Sequence, residues 1–317
     1  MKNYLLKKNT LSIFFLISFF LLLSRFLLPS LYYPGEESFI RLQFETKTGS
    51  SYLPIIKSYS NFIFSPLYGL ENELDHKNLA FPYLALFIPI IFLKLFGPLF
   101  YIYMEFFALT FFLIVIYKIF ILLNFNNFLS LLGACFLFLL PKIFIELNYL
   151  FNFEILQIMK NNFQSFYTLR MPRPLITNLY FFSFIFILMK INFDKKYSIK
   201  RSFFLGLLTG LSIHSLFFMA IIKFFILFFY LIVNYKKEIF KMIIYNKKFF
   251  LVLSLTVIVF LITFIIHLNN VSPDNAKVIG LHDLNYDQKI NLVKYTIKYF
   301  SNNFFLLLFF SNLILFL

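Results

Sequence analysis

Residues 203–233 read FFLGLLTGLSIHSLFFMAIIKFFILFFYLIV, an apolar run of 31 residues. The basic stretch DKKYSIKR at 194–201 precedes this run, and a second stretch with five lysines follows it at 234–248. Cytoplasmic loops of membrane proteins collect Lys and Arg, so both flanks are predicted to lie inside. A single helix of this length would be roughly 46 Å long and would place the two basic flanks on opposite sides of the membrane. The run is therefore predicted to form a hairpin of two short or tilted helices, with a turn near His214.

The composition of the 317-residue chain also indicates a membrane protein. Hydrophobic residues make up 61% of the chain and charged residues 14%, and the mean hydropathy is +0.82. Soluble domains are nearer half apolar and a quarter charged, which excludes a soluble enzyme and a disordered protein. The net charge of +15 is explained by basic cytoplasmic loops rather than by nucleic acid. The single cysteine, Cys135, gives neither a disulfide framework nor a thiolate zinc site.

Apolar runs near twenty residues recur along the chain, and each can cross a hydrocarbon core of roughly 30 Å. Lysines before the first run predict a cytoplasmic N-terminus. Residue 79 is predicted to lie outside and the basic stretch at 194 inside, so an odd number of crossings must separate them. Four apolar runs are available, and the weakest of them, 79–96, contains two prolines. This run is therefore interpreted as a juxtamembrane or re-entrant helix on the outer side. Spans are predicted at 11–31, 98–123, 127–145, 175–193, 203–233 (as a hairpin), 249–267 and 303–317.

The predicted fold is an all-α polytopic membrane protein with about seven or eight transmembrane helices and outer-face juxtamembrane helices in the first loop. One transmembrane domain is expected over residues 1–317, with outer loops at 32–79, 146–174 and 268–302. The last apolar run ends at Leu317 without a polar tail, so we expect a truncated sequence or an unusual terminus.

Candidate functional residues lie in the predicted outer loops. Glu36 and Glu37 are adjacent carboxylates near the membrane exit of the first helix, where one of them can serve as a general base. The same pair is also typical of a solvated acidic turn. His76 and Lys77 lie at the end of the loop, where a lysine suits a lipid phosphate. The alternative for Lys77 is an interfacial side chain that snorkels to water.

Arg170 and Arg173, interleaved with prolines, precede the span at 175–193. Prolines restrict the backbone and would aim the two guanidinium groups, which suit a phosphate or carboxylate. The alternative is an interfacial anchor paired with Glu146 or Glu154.

Ionisable residues within predicted spans are often functional. Glu105 and Lys118 lie near enough to the ends of their runs to reach an interface, whereas His214 and Lys223 lie in the predicted hairpin. Of these four, His214 is retained as a further site candidate beside His76. The sequence contains no Walker motif, no HExxH motif and no dinucleotide fingerprint, and it suggests no specific metal.

Three short motifs follow one another in a familiar order: PGEE at 34–37, KLFG at 94–97 and GLLTGLS at 206–212. With the predicted topology, they resemble the C-type, polyprenyl-phosphate-sugar-dependent membrane glycosyltransferases, particularly the group of aminoarabinose and protein-mannosyl transferases. The resemblance covers about residues 10–230. Glu36 stands where the family usually has Asp, and the family's two prolines after Lys77 are missing.

The resemblance implies an inverting transfer of a sugar from a polyprenyl-phosphate-type lipid donor to an acceptor at the outer, periplasmic face. Glu36 or Glu37 would take the proton of the acceptor, and a basic group would hold the leaving phosphate. The candidates for this group are Lys77, Arg170 and Arg173, although the segment RMPRP at 170–174 is not the usual family sequence. The implied partners are the bilayer, the lipid-linked donor and a glycan, lipid or protein acceptor, with no nucleic acid. The implied location is the bacterial inner membrane, in cell-envelope polysaccharide biosynthesis. The resemblance names no cofactor, because some members use a divalent cation and others do not.

Two other classes remain open from the sequence. A polysaccharide polymerase or flippase-like protein also has many helices, but its large outer loop usually lies nearer the C-terminal half, whereas here it follows the first helix. A non-enzymatic polytopic protein of cell-envelope biogenesis would need neither the acid pair nor the arginine pair.

Overall fold

The computed structural model of the protein describes residues 8–22, 49–63, 83–97, 100–137, 175–191, 199–215, 217–269, 290, 291 and 294. These residues are helical almost throughout, and no strand occurs among them, which confirms the all-α fold class. The chain divides into two compact units, Met1–Val271 and Ser272–Leu317. Of the described residues, only 290, 291 and 294 belong to the second unit.

Most of the described helices follow the predicted apolar runs. A turn of 3-10 helix, Tyr83–Leu86, leads into the α-helix that begins at Phe87, and another, Lys236–Glu238, joins the helix that ends at Tyr235 to the one that begins at Ile239. The α-helices are α1 (Lys8–Leu22), α2 (Gly49–Ser60), α3 (Phe87–Phe96), α4 (Phe100–Leu122), α5 (Asn127–Leu137), α6 (Leu175–Met189), α7 (Ile199–Ser215), α8 (Phe217–Tyr235), α9 (Ile239–Tyr245) and α10 (Lys247–Asn269).

Three helical stretches in the described part of the chain are long and apolar enough to cross a membrane: Phe100–Leu122, Met219–Tyr245 and Lys247–Asn269. Large apolar side chains remain exposed on the outward faces of α8 and α10, as expected for helices in contact with lipid. A membrane protein is thus supported, while the number of seven or eight spans stays a prediction. The helix α2 lies within the first long loop, where helices were expected.

Local sequence explains where several of these helices end. Gly97, with a positive φ of 62°, follows α3, and its backbone N–H donates to the carbonyl of Leu93. Such a left-handed residue satisfies a carbonyl at a helix C-terminus. Asn124, with φ of 68°, follows α4 in the same way. Asn126 caps α5, because its Oδ1 accepts a hydrogen bond of 2.7 Å from the backbone N–H of Leu129.

The helix α3 is short and packs antiparallel against the first half of α4. The rings of Phe96 and Tyr103 stack with centroids 4.4 Å apart, and the ring centroids of Phe92 and Phe107 lie 6.0 Å apart. Ten residues of α-helix span about 15 Å, which is half of a typical hydrocarbon core. The helix therefore has the length and packing expected of the juxtamembrane or re-entrant segment.

Aromatic contacts fix the relative direction of α4 and α6. The ring centroids of Phe112 and Phe182 lie 5.5 Å apart, and Lys118 Nζ lies 5.9 Å from the ring of Phe186. From the first contact to the second, the residue numbers increase in both helices, so α4 and α6 run parallel. The predicted topology also has these two helices run in the same direction, while the number of crossings between residues 79 and 194 stays a prediction.

The helices α7 and α8 form the hairpin that the sequence predicts. The first ends at Ser215 and the second begins at Phe217, next to His214. Lys223 Nζ donates a hydrogen bond of 2.8 Å to the carbonyl of Leu208. These two residues are almost equally far from the turn, one on each helix, and they lie side by side. The pair is therefore antiparallel.

The closest helix packing in the described part of the chain joins α7 to α10 through small residues spaced four apart. Gly206 faces Thr256, and Gly210 faces Phe260. Ser202 Oγ donates to the carbonyl of Phe249, at the start of α10. The residue numbers of these contacts increase together in α7 and α10, so the two helices run parallel. Small residues at every fourth position let backbones approach closely in membranes, where no hydrophobic effect drives helices together.

These directions give the bundle two chemically different ends. Helices α7 and α10 begin, and α6 and α8 end, at what we call the basic end. We call the opposite end, where α6 begins and α7 and α10 end, the polar end. The basic end carries Lys118, Lys190, Lys200, Arg201, Lys236, Lys237, Lys241, Lys247 and Lys248.

We expect Gly206→Ala and Gly210→Ala to destabilise the bundle. The added Cβ at position 206 would lie 2.7 Å from Thr256 Cβ, and at position 210 it would overlap the Phe260 ring where the ring joins its own backbone. Overpacking of this kind costs about 1–3 kcal/mol, which exceeds the gain from better helix propensity. Thermal unfolding of the purified protein in detergent measures the change.

The matched control is Gly133→Ala in α5, whose added Cβ would meet only the outer edge of the Phe120 ring at 2.9 Å. A ring edge can move aside, so this variant should unfold near the wild-type temperature. Equal melting temperatures for all three variants would contradict the packing described here.

Candidate functional site

The structure describes one of the predicted site residues, His214. The other predicted site residues lie outside the described part of the chain: Glu36, Glu37, His76, Lys77, Arg170 and Arg173. Of the other residues noted in predicted spans, Glu105, Lys118 and Lys223 are described. The side chain of Glu105 is buried, with 8% exposed, and its expected position near a membrane interface stays a prediction.

His214 is held in the last turn of α7 by the neighbouring helix α10. Its side chain is 2% exposed, and Nε2 lies 3.0 Å from the carbonyl oxygen of Phe260 and 3.1 Å from Thr263 Oγ1. A carbonyl oxygen can only accept, so Nε2 must carry the hydrogen. Thr263 already donates its hydroxyl hydrogen to the same carbonyl at 2.9 Å. A neutral His214 therefore presents an unprotonated Nδ1.

This Nδ1 atom is buried and has no hydrogen-bond partner among the described residues, and the same holds for the hydroxyl of the next residue, Ser215. The rings of Phe260 and Phe264 stand edge-on to the imidazole, at centroid distances of 6.0 and 5.5 Å. Buried polar atoms without partners are uncommon in native proteins. As an unprotonated ring nitrogen, this atom can accept a proton or a hydrogen bond.

Other buried polar residues lie at the polar end with His214. Lys223, bonded to the Leu208 carbonyl, lies 5.6 Å from the ring of Phe184, which sets the register of α6 against α7. Asn178 lies six residues from Phe184 in α6, and His214 lies six residues from Leu208 in α7. Both are therefore about 9 Å nearer to the polar end. The polar end therefore collects the buried side chains Thr177, Asn178, His214, Ser215 and His267 and the half-buried Thr263.

A second polar centre lies deeper in the hairpin, at Lys223. This side chain is fully buried, and its Nζ donates to the carbonyl of Leu208 at 2.8 Å and to Ser212 Oγ at 2.5 Å. In the sequence, Lys223 is a single lysine inside the apolar run at 203–233, and this pattern does not define its role. Its contacts show that it joins α8 to α7, since lipid offers no alternative partner for an ammonium group.

No group of three or more His, Cys, Asp or Glu that could hold a metal ion occurs among the described residues. The buried polar residues at the polar end are mostly neutral hydrogen-bonding groups.

Comparison with known proteins gives no match, whether with family models, with curated proteins or with solved structures. The resemblance to the C-type glycosyltransferases therefore stays a prediction that rests on the motifs quoted above.

We expect Lys223→Met to leave stability within about 1.5 kcal/mol of wild type, because a flexible apolar side chain of similar volume can replace a buried ammonium group. In contrast, Lys223→Ala should lower stability by about 2–4 kcal/mol, because it leaves a cavity between α7 and α8. Thermal unfolding in detergent measures both. The exposed Lys241 serves as the control position, where Met and Ala should behave alike. A loss for Lys223→Met as large as that for Lys223→Ala would show that the charge itself holds the hairpin.

Proposed function

We propose that the chain transfers a sugar from a polyprenyl-phosphate-type donor to an acceptor at the outer face of the membrane, with inversion of the anomeric centre. The observation that carries the proposal is the sorting of the bundle ends. The described bases of the stretches at 194–201 and 234–248 lie at one end. Buried, hydrogen-bonding side chains, among them His214 with its unpartnered Nδ1, lie at the other.

The direction of the helices supports this assignment. Basic loops favour the cytoplasmic side, so the polar end is the outer end. The sequence that carries Arg170 and Arg173 leads directly into α6, which begins at the polar end. The helix α3, whose last residues form the KLFG motif, packs against the half of α4 nearest to this end. The KLFG motif of the resemblance and the arginine pair are thereby consistent with one working face.

The chemistry assigned to these residues is a single displacement. The acceptor hydroxyl or amine attacks the anomeric carbon, and the bond between that carbon and the phosphate oxygen breaks. Glu36 or Glu37 takes the acceptor proton. Lys77, Arg170 and Arg173 stabilise the charge that grows on the leaving phosphate.

His214 has a different role in this proposal. Its Nδ1 has no partner among the described residues and can accept a hydrogen bond, so it suits a hydroxyl group of the sugar or the acceptor. Such a contact orients the substrate and need not move a proton. Sugar rings also pack well on aromatic edges and faces, which Phe260 and Phe264 provide.

Membranes that contain the protein should transfer radiolabelled sugar from polyprenyl-phosphate donors, and Glu36→Gln/Glu37→Gln or Arg170→Ala should lose this transfer. Loss of a general base or of a phosphate-binding cation is expected to lower the rate about 100- to 10,000-fold. The matched control is Lys248→Ala, which removes an exposed cation at the basic end and should transfer normally.

Transfer that survives the acid and arginine substitutions at equal protein level would place the site elsewhere. No transfer from any donor would favour the alternative, a flippase-like or non-enzymatic protein of the cell envelope.

A separate prediction concerns His214→Gln. The amide nitrogen of Gln can keep the hydrogen bond to the Phe260 carbonyl, but its side chain lacks the acceptor at Nδ1. We expect the melting temperature to stay close to wild type while transfer falls about tenfold, the effect of one lost neutral hydrogen bond to substrate. Unchanged transfer would mean that His214 only fastens α7 to α10.

A further inference from the structure

A cleft of about 790 Å³ opens at the basic end, between the end of α6 and the end of α8. Met189 and Ile191 line it from the side of α6, and Tyr230 and Asn234 line it from α8. The turn Lys236–Glu238 completes the wall. The cleft is distinct from the polar end, and the proposed sugar transfer makes no use of it.

Cations dominate the surroundings of this cleft. Lys236 and Lys237 line it beside a single acid, Glu238. Lys190 lies between the lining residues Met189 and Ile191 in the chain. Its Nζ is 4.1 Å from the centroid of the Phe186 ring. Arg201 Nη1 donates to the Lys190 carbonyl at 2.8 Å, which brings a further cation to the same turn. Such a concentration of positive charge favours an anionic ligand.

The cleft is held in shape by specific contacts. The hydroxyl of Tyr230 donates to the carbonyl of Ile191 at 2.8 Å and so joins α8 to the end of α6. The side-chain amide of Asn234 donates to the Tyr230 carbonyl at 2.7 Å. Lys236 has a φ of 44°, a left-handed conformation that lysine rarely adopts. Strained residues of this kind cluster at ligand-binding sites.

Large apolar side chains lie exposed next to the cleft. Val233 precedes the lysine pair and is 69% exposed. Phe240, Ile244 and Tyr245 on α9 are 79%, 71% and 73% exposed. A short helix that combines exposed lysine with exposed aromatic and aliphatic residues is typical of a segment at the membrane interface. The ligand therefore meets cations and lipid-facing apolar surface together.

We propose that this cleft binds the phosphate headgroup of an anionic phospholipid, with Lys236 and Lys237 as its cationic ligands. Basic pockets between membrane helices on the cytoplasmic side suit such headgroups, and the inner leaflet supplies them. The exposed apolar residues of α9 would lie along the acyl chains. The site does not depend on the outer-face transfer, since it lies at the opposite end of the bundle.

The test uses the full chain, purified in a mild neutral detergent and incubated with phosphatidylglycerol. Co-purified lipid is counted by native mass spectrometry. We expect Lys236→Ala/Lys237→Ala to retain on the order of 25-fold less phosphatidylglycerol, about fivefold for each basic residue beside an anionic headgroup. The matched control is Lys241→Ala/Lys248→Ala, which removes two exposed lysines of the same end that do not line the cleft. This control should retain lipid like wild type.

Three results would overturn the proposal. Equal losses in the two double variants would mean that surface charge alone attracts the lipid. Equal retention of phosphatidylcholine by wild type would mean that the headgroup charge is not recognised. Displacement of the lipid by millimolar glycerol phosphate would identify a soluble phosphate ester as the ligand. Should the double alanine variant fold poorly, judged by its melting temperature without lipid, Lys237→Gln alone replaces it, with an expected loss of about fivefold.

Discussion

The close approach of α7 and α10 is the constraint on which the rest of the bundle depends. Gly206 and Gly210 allow the two backbones to approach, and Thr256 and Phe260 occupy the space that larger residues would need. This approach brings His214 within hydrogen-bond distance of the Phe260 carbonyl. In a membrane, apolar side chains gain little by moving from lipid to protein, so small residues and hydrogen bonds decide which helices pack together.

Polar atoms inside the bundle follow the same rule, because lipid gives them no partner. Several hydroxyl groups donate to the carbonyl four residues earlier in their own helix, such as Thr209 to Leu205 and Thr256 to Val252, each at 2.8 Å. Lys223 instead reaches across to α7 and binds both a carbonyl and a hydroxyl. Among the described residues, the Nδ1 of His214 and the hydroxyl groups of Ser18 and Ser215 are buried without a hydrogen-bond partner.

The two ends of the bundle suit different partners. The polar end offers neutral hydrogen-bonding groups beside aromatic rings, and the proposed transfer places the hydroxyl groups of a sugar there. The basic end offers exposed lysines, a strained turn and exposed apolar residues, where the second proposal places an anionic headgroup. In this bundle the two kinds of surface are separated by the length of the helices.

The sequence by itself determined that the chain is helical, that its helices are apolar enough for a membrane, where its hairpin turns and which ends of its helices are basic. These properties depend on the length of apolar runs and the placement of lysines, which are local features. It also predicted a juxtamembrane or re-entrant helix at 79–96, from the parity of the crossings and from two prolines, and the structure has the α-helix α3 over Phe87–Phe96. Only the tertiary structure decided that Glu105 is buried, that Lys223 bonds α7 and that His214 keeps an unpartnered nitrogen. Each of these outcomes depends on which helices pack together and in which register, and residues far apart in the chain set that packing jointly.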